Sequence, residues 1–360
     1  MLWFVVGLVA LILGAELLVR GASRLALAVG ISPLVVGLTV VAAGTSSPEL
    51  AVSVQSAWSG QVDIALGNVV GSNIFNVLFI LGVSAMITPL LVHEQLVRRE
   101  VPLMIAVSLL LWALAADGAI GRIDGIVLAG LLTAYTVVVI RASRRETAQR
   151  QSNDEESNGA AADGIPPGDG GHWTIQLACI AAGLVLLVLG SQWLVEAAVG
   201  FARALGVSEL VIGLTLIAAG TSLPEVATSI TAAVRGQRDI AVGNVVGSNV
   251  FNILGVLGVS AIVSPAGLSV APSMAVFDLP VMVVVALACL PVFFTGHVIA
   301  RWEGALFFAY YLAYTAYLIL MAREHDALQG FGLVVAGFAL PLTFTTLLVL
   351  SARQWRVAQR

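Results

Sequence analysis

The sequence predicts an all-α polytopic membrane protein: two inverted-topology repeats of five transmembrane helices plus an eleventh C-terminal helix. Composition, an internal duplication and the placement of arginine predict it. Hydrophobic residues make up 59% of the 360-residue chain and charged residues 11%, with a mean hydropathy of +0.99, where an average soluble domain is about 25% charged. The segment from Gly30 to Gly82 recurs without insertion or deletion from Gly206 to Gly258, every matched position 176 residues apart. All seventeen basic residues are arginine, and fourteen of them fall in alternate connections between apolar stretches.

Apolar stretches of about 20 residues suit a bilayer-spanning helix, and they place spans at 2–19, 31–58, 62–87, 101–116, 123–140, 174–194, 207–233, 239–263, 278–295, 302–321 and 331–351. The first has no basic flank before it and no small-residue cleavage site after it, so it reads as a span and not a removed signal. Arg20, Arg24, Arg98, Arg99, Arg141, Arg144, Arg145, Arg150, Arg235, Arg238, Arg301, Arg353, Arg356 and Arg360 share one side, against Arg122, Arg203 and Arg323 on the other. The positive-inside rule makes the first set cytoplasmic. The N-terminus is then outside and the C-terminus inside a multi-pass protein of the cell's inner membrane. Residues 141–173 are polar and carry Pro166, Pro167 and Gly168, the composition of a flexible cytoplasmic linker.

The duplication continues past its central motifs. Glu100-Val101-Pro102-Leu103-Met104 answers Asp278-Leu279-Pro280-Val281-Met282, and Arg122-Ile123-Asp124-Gly125 answers Arg301-Trp302-Glu303-Gly304. Residues 1–140 and 174–321 thus read as one five-span unit each, with 322–360 adding the last span and a cytoplasmic tail. Five is odd, so the second unit enters the membrane from the opposite side. Inverted repeats with a site at their interface are a frequent transporter architecture.

Each copy carries a carboxylate inside an apolar helix. The first reads G-T-S-S-P-E from Gly44 to Glu49, then G-N-V-V-G-S-N-I-F-N from Gly67 to Asn76. The second reads G-T-S-L-P-E from Gly220 to Glu225, then G-N-V-V-G-S-N-V-F-N from Gly243 to Asn252. An ionisable group at mid-membrane costs roughly 2.5–3.5 kcal/mol on insertion scales, which marks Glu49 and Glu225 as functional. Pro48 and Pro224 lack an N–H and crowd the carbonyls of Gly44 and Gly220. Such irregular backbone is tolerated at this depth only when packed in protein or lining a wet cavity. Freed carbonyls, the hydroxyls of Thr45, Ser46, Thr221 and Ser222, and the two carboxylates are hard oxygen donors, the ligand chemistry of calcium. Ser72 with Asn76, and Ser248 with Asn252, are spaced i, i+4 and share a helix face. These residues predict a cation site inside the membrane.

With these motifs the chain resembles the calcium/cation antiporter superfamily, close to the prokaryotic sodium/calcium exchangers. The resemblance implies a calcium site at Glu49, Glu225, Thr45 and Thr221. It implies sodium sites drawing on Ser46, Ser222, Ser72, Ser248 and the backbone carbonyls of Ala42 and Ala218, with Asn76 and Asn252 in the remaining central positions. The expected cargo is calcium and sodium, with no resident cofactor. The expected motion has the helices around 2–19 and 174–194 moving against the core. Some members carry aspartate where this chain has Asn252, one titratable group fewer, which leaves a proton/calcium antiporter as the alternative.

Other classes fit less well. A passive channel calls for rings of ligands around a through pore. An intramembrane enzyme is opposed by the absence of H-E-x-x-H and G-x-S-x-G motifs and of any histidine within the spans. His93, His172, His297 and His325 lie outside or at the edges of the spans. The net charge of −4 is built from sparse charges and points to no nucleic-acid partner. Cys179 and Cys289 read as small buried hydrophobes, with no disulfide or thiolate metal site. The pairs Gly67/Gly71 and Gly243/Gly247 read as close helix contacts. Asn68, Asn244, Asn73 and Asn249 read as packing amides, Glu16 and Glu196 as solvated span ends, and Glu100, Asp278, Asp124 and Glu303 as helix-opening acids.

Overall fold

The computed structural model describes residues 2–157, 173–205, 218–294, 296–322, 325, 327–343, 345 and 346. The helices run α1 (Leu2–Val29), α2 (Pro33–Thr45), α3 (Ser47–Trp58), α4 (Val62–Ile87), α5 (Leu96–Asp117), α6 (Arg122–Ser157) and α7 (Trp173–Ala204). They continue with α8 (Ala218–Gly220), α9 (Leu223–Val234), α10 (Arg238–Val263), α11 (Met274–Phe294), α12 (Arg301–Ala322) and α13 (Ala327–Thr343). Among the described residues, eight helices are long and apolar enough to cross a membrane, nine if the bent pair α2 and α3 is one span. Two further expected spans, 207–233 and 331–351, lie in part outside the described residues.

Burial ranks the helices. Of the apolar windows of α10 and α4, 83% and 72% is buried, against 6% for α12, so the two motif helices form the centre and α12 faces outward. The helical hairpins α3/α4 and α9/α10 turn on Gly60 (φ 77°) and Gly236 (φ 75°), a left-handed backbone that glycine adopts without cost to a side chain. The turns match bond for bond: Gln61 N–H donates to Ser56 C=O at 2.8 Å, and Gln237 N–H to Ala232 C=O at 2.8 Å.

Close crossings tie one half to the other. In the antiparallel pair α1/α7, a Cβ on Gly14 would lie 2.8 Å from the Gly183 carbonyl oxygen, and one on Gly7 would lie 2.8 Å from that of Gly190. Gly82 meets Gly304, and Gly258 meets Gly125, in the same way. Gly243 and Gly247 abut the α2 backbone at Leu34 and Leu38, as the packing reading expects, whereas among the described residues a Cβ on Gly67 or Gly71 would meet nothing within 4 Å.

Among the described residues, four two-residue strands join the helix ends: β1 (Leu90–Leu91), β2 (Ala119–Ile120), β3 (Leu268–Ser269) and β4 (Val298–Ile299). β1 pairs antiparallel with β4, and β2 with β3. By position in the repeat, β1 is equivalent to β3 and β2 to β4, yet each pairs with the other's counterpart. Since α5 separates β1 from β2, the two sheets lie at its opposite ends. Exchanging the halves therefore exchanges the two ends of the bundle, which is the inverted relation.

Several sequence expectations shift. Helix α6 continues through Ser157 into the expected linker, because 141–157 contains neither glycine nor proline and is rich in helix formers. Its extension is docked: the Ser32 N–H donates to Ser143 Oγ at 2.9 Å, and Arg99 pairs with Glu146 at 3.2 Å. Residues 158–172, with the Pro166-Pro167-Gly168 cluster, lie outside the described residues. Glu16 lies within α1 and bridges Arg20 at 2.5 Å and Arg235 at 2.7 Å. Asp124 and Glu303 do cap helices, accepting from Gly121 N–H and Ala300 N–H at 2.8 Å each. Glu100 and Asp278 do not open helices. A π-turn before Pro102 and another before Pro280 absorb the missing donor, so α5 and α11 start earlier, at Leu96 and Met274. Glu100 then accepts from Tyr135 O–H at 3.0 Å, and Asp278 from Tyr314 O–H at 2.9 Å.

Candidate cation site

The site is built on two broken helices. α2 and α3 meet at Ser46 with a 46° bend, and Pro48 occupies the first turn of α3, where its missing N–H is harmless. α9 starts in the same way, after Ser222 and with Pro224 in its first turn. The carbonyl left by Pro48, that of Gly44, accepts from the Ser47 hydroxyl at 2.7 Å. The Ala42 carbonyl accepts from Ser46 N–H at 3.0 Å, and Thr45 Oγ1 lies 3.4 Å from it. Ala218 lies in the described helical segment Ala218–Gly220.

Across the break the two copies clasp each other. Ser46 O–H donates to Glu225 Oε1 at 3.0 Å, and Ser222 O–H donates to Glu49 Oε1 at 2.9 Å. Ser222 Oγ also lies 3.2 Å from Ser72 Oγ. Both glutamates, Thr45, Ser46, Ser222, Ser248 and Asn252 are wholly buried, and Ser72 and Asn76 nearly so. The acids face neither lipid nor water, and each is held by the other copy's serine.

The structure adds residues that sequence reasoning left as packing. Thr45 O–H donates to Asn244 Oδ1 and Thr221 O–H to Asn68 Oδ1, each at 3.2 Å. Asn68 and Asn244 are in turn held by Ser53 and Ser229 at 2.9 Å each. Asn76 Nδ2 donates to Asn249 Oδ1, and Asn252 Nδ2 to Asn73 Oδ1, each at 3.1 Å. One signal was available, since Asn68, Ser72 and Asn76 recur at i, i+4 and i+8 and so lie along one face of α4. Asn76 and Asn252 each begin a π-turn, a widening frequent at functional sites.

A set of acceptor-capable oxygens remains. Glu49 Oε2, Glu225 Oε2, Asn76 Oδ1, Asn252 Oδ1 and Ser248 Oγ are buried without a hydrogen-bond partner. Unpaired buried acceptors are costly in protein interiors. Carboxylate, amide and hydroxyl oxygens together suit a hard cation. Among the described residues no group of three or more His, Cys, Asp or Glu side chains is arranged to hold a metal ion.

The family profile described as sodium/calcium exchanger protein matches residues 1–141 and 175–320. The chain belongs to the sodium/calcium exchanger family. The two matched segments coincide with the two halves of the duplication. Among relatives, the sodium/calcium exchanger MaX1 of Methanosarcina acetivorans is 33% identical, with 87% of this chain and 96% of that protein covered. The inner membrane protein YrbG of Escherichia coli K12 is 39% identical over 72% of this chain and 79% of its own. The structure of the sodium-calcium exchanger NCX_Mj soaked with zero Na+ and Ca2+ superposes with a TM-score of 0.73 at 31% identity, covering 88% of this chain and 97% of that one. This exchanger-family chain is accordingly a membrane-embedded calcium/cation antiporter of all-helical fold.

Proposed function

We propose that the chain exchanges calcium for sodium by alternating access, with both ions competing for one site near the bilayer midplane between two inverted five-helix units, residues 1–140 and 174–321. The observation that carries this reading is the duplicated set of unpartnered oxygens on Glu49, Glu225, Asn76 and Asn252, joined by Ser248. Thr45, Thr221, Ser46, Ser222, Ser72 and the carbonyls of Ala42 and Ala218 complete the proposed ligand set. Two ionised glutamates neutralise one calcium or two monovalent ions. A neutralised buried pair tolerates closure, while an empty pair of carboxylates resists it. Competition then makes the exchange obligatory.

The halves are not equally exposed. Asn68 and Thr221 are part-exposed, while their counterparts Asn244 and Thr45 are wholly buried. With the N-terminus outside, as the arginine distribution has it, the less buried Asn68 end faces the outer side, while the glutamates themselves are closed off from both sides. The close glycine contacts of α1 with α7 make that pair a unit able to slide against the core.

Calcium flux in proteoliposomes tests the reading, with sodium and pH gradients imposed separately. Sodium-driven uptake is expected, and Glu49→Gln and Glu225→Gln are each expected to abolish it in correctly inserted protein. Exchange retained in either variant refutes the site; uptake driven by the pH gradient alone selects the proton/calcium alternative.

A further inference from the structure

Four amides and two thioethers form a pair of chains behind the proposed ligands, and what they do rests on that reading of the site. Met104 on α5 and Met282 on α11 are buried beside Asn249 and Asn73. A thioether sulfur has lone pairs and no hydrogen, so an amide that meets it must turn its NH2 toward the sulfur. Asn249 Nδ2 lies 3.4 Å from Met104 Sδ, and Asn73 Nδ2 lies 3.6 Å from Met282 Sδ. With their NH2 groups so turned, Asn249 and Asn73 offer Oδ1 to the next amides. Asn76 and Asn252 donate Nδ2 to those oxygens at 3.1 Å each, and their own Oδ1 atoms are left buried and unpartnered.

We propose that Met104, Asn249, Asn73 and Met282 are positioning residues that fix the flip state of the two ligand amides. Each chain, Met104–Asn249–Asn76 and Met282–Asn73–Asn252, sets the orientation so that an oxygen and not an NH2 meets the cation. A flipped Asn76 or Asn252 presents partial positive charge to the ion and loses its bond to the amide behind. The two chains are equivalent under the duplication, and each crosses from one half to the other and back. Asn73 Nδ2 also donates to the Asn249 carbonyl at 3.3 Å, which ties the chains together.

The order of two substitutions separates this role from packing. Met→Leu keeps the apolar volume and removes the acceptor, whereas Met→Gln keeps an acceptor oxygen at similar reach. In proteoliposome uptake, Met104→Leu should raise the half-saturating calcium concentration roughly fivefold, the scale of one lost hydrogen bond, and Met282→Leu should raise it less, because the Asn249 carbonyl still holds the Asn73 NH2 at 3.3 Å. Met104→Gln and Met282→Gln should return it to near the unsubstituted value. A packing role gives the reverse order, since leucine suits an apolar neighbourhood better than glutamine; that order, or leucine variants that behave as unsubstituted protein, overturns the proposal. The calcium-dependent rise in thermal midpoint, measured on the same proteins in detergent, reports binding where transport is lost, and the same ranking is required there. Glu49→Gln is run alongside. If it transports normally the site itself is wrong; if it is inactive and the leucine–glutamine order fails, the relay alone is wrong.

Discussion

Asn68 and Asn244 hold the threonines of the opposite half, and their geometry gives that contact an energetic size. Each accepts from a threonine hydroxyl at 3.2 Å while its NH2 is engaged by a serine at 2.9 Å, so neither amide can turn without losing two bonds. Removing one partner of a buried hydrogen bond costs on the order of 1–3 kcal/mol, because the other partner is left unsatisfied. Asn244→Ala and Thr45→Val should therefore each weaken calcium affinity, and the double variant should lose less than the sum of the two. The coupling expected in a double-mutant cycle on half-saturating calcium is about 1 kcal/mol. Additive losses show that the threonine acts alone. The glutamates, threonines and serines were legible in sequence because a carboxylate or a proline break inside an apolar helix is costly unless a polar site surrounds it. Asn68, Asn73, Asn244 and Asn249 were not, because an amide in a helix reads as packing until the partner helix is placed against it.

Between elements, glycine decides which helices approach. A Cβ on Gly14 would lie 2.8 Å from a backbone oxygen of α7, and one on Gly183 would lie 2.7 Å from the Leu18 nitrogen of α1. Backbone atoms cannot rotate away as a side-chain tip can, so a substitution must separate the helices. Gly14→Val is expected to destabilise the protein by about 1–3 kcal/mol, the usual scale of overpacking, read as a lower thermal midpoint in detergent. Gly183→Val should do the same, while Gly200→Val, with open space around it, should not. Equal midpoints for all three show that the α1/α7 contact is loose. The eight described helices long and apolar enough to cross a membrane were readable from hydropathy, and the exchange of strand partners agrees with an inverted relation between the halves. Helix ends were harder. Pro102 and Pro280 mark helix starts by the usual rule, yet a widened turn carries α5 and α11 back to Leu96 and Met274, and hydropathy does not register such a turn.

At the scale of the whole molecule, the exchange of strand partners constrains the topology more tightly than helix packing does. β1 pairs with β4 and β2 with β3, so the connections at 88–95 and 296–300 share one face, while those at 118–121 and 264–272 share the other. In the orientation expected from the arginine distribution, the first face, with Arg98, Arg99 and Arg301 beside it, is the cytoplasmic one. Leu91 is 51% exposed in β1 and Ala266 is exposed beside β3, so each can carry a reporter cysteine with little disturbance. Cys179 and Cys289 are replaced by alanine in both proteins to leave a single thiol. A membrane-impermeant maleimide applied to intact cells should label Ala266→Cys, and should label Leu91→Cys only after the membrane is opened. Labelling of both from outside means that the two sheets share a face, and the inverted relation between the halves then fails. The reverse pattern preserves the inversion but turns the protein over, so that the part-exposed end at Asn68 and Thr221 faces the cytoplasm.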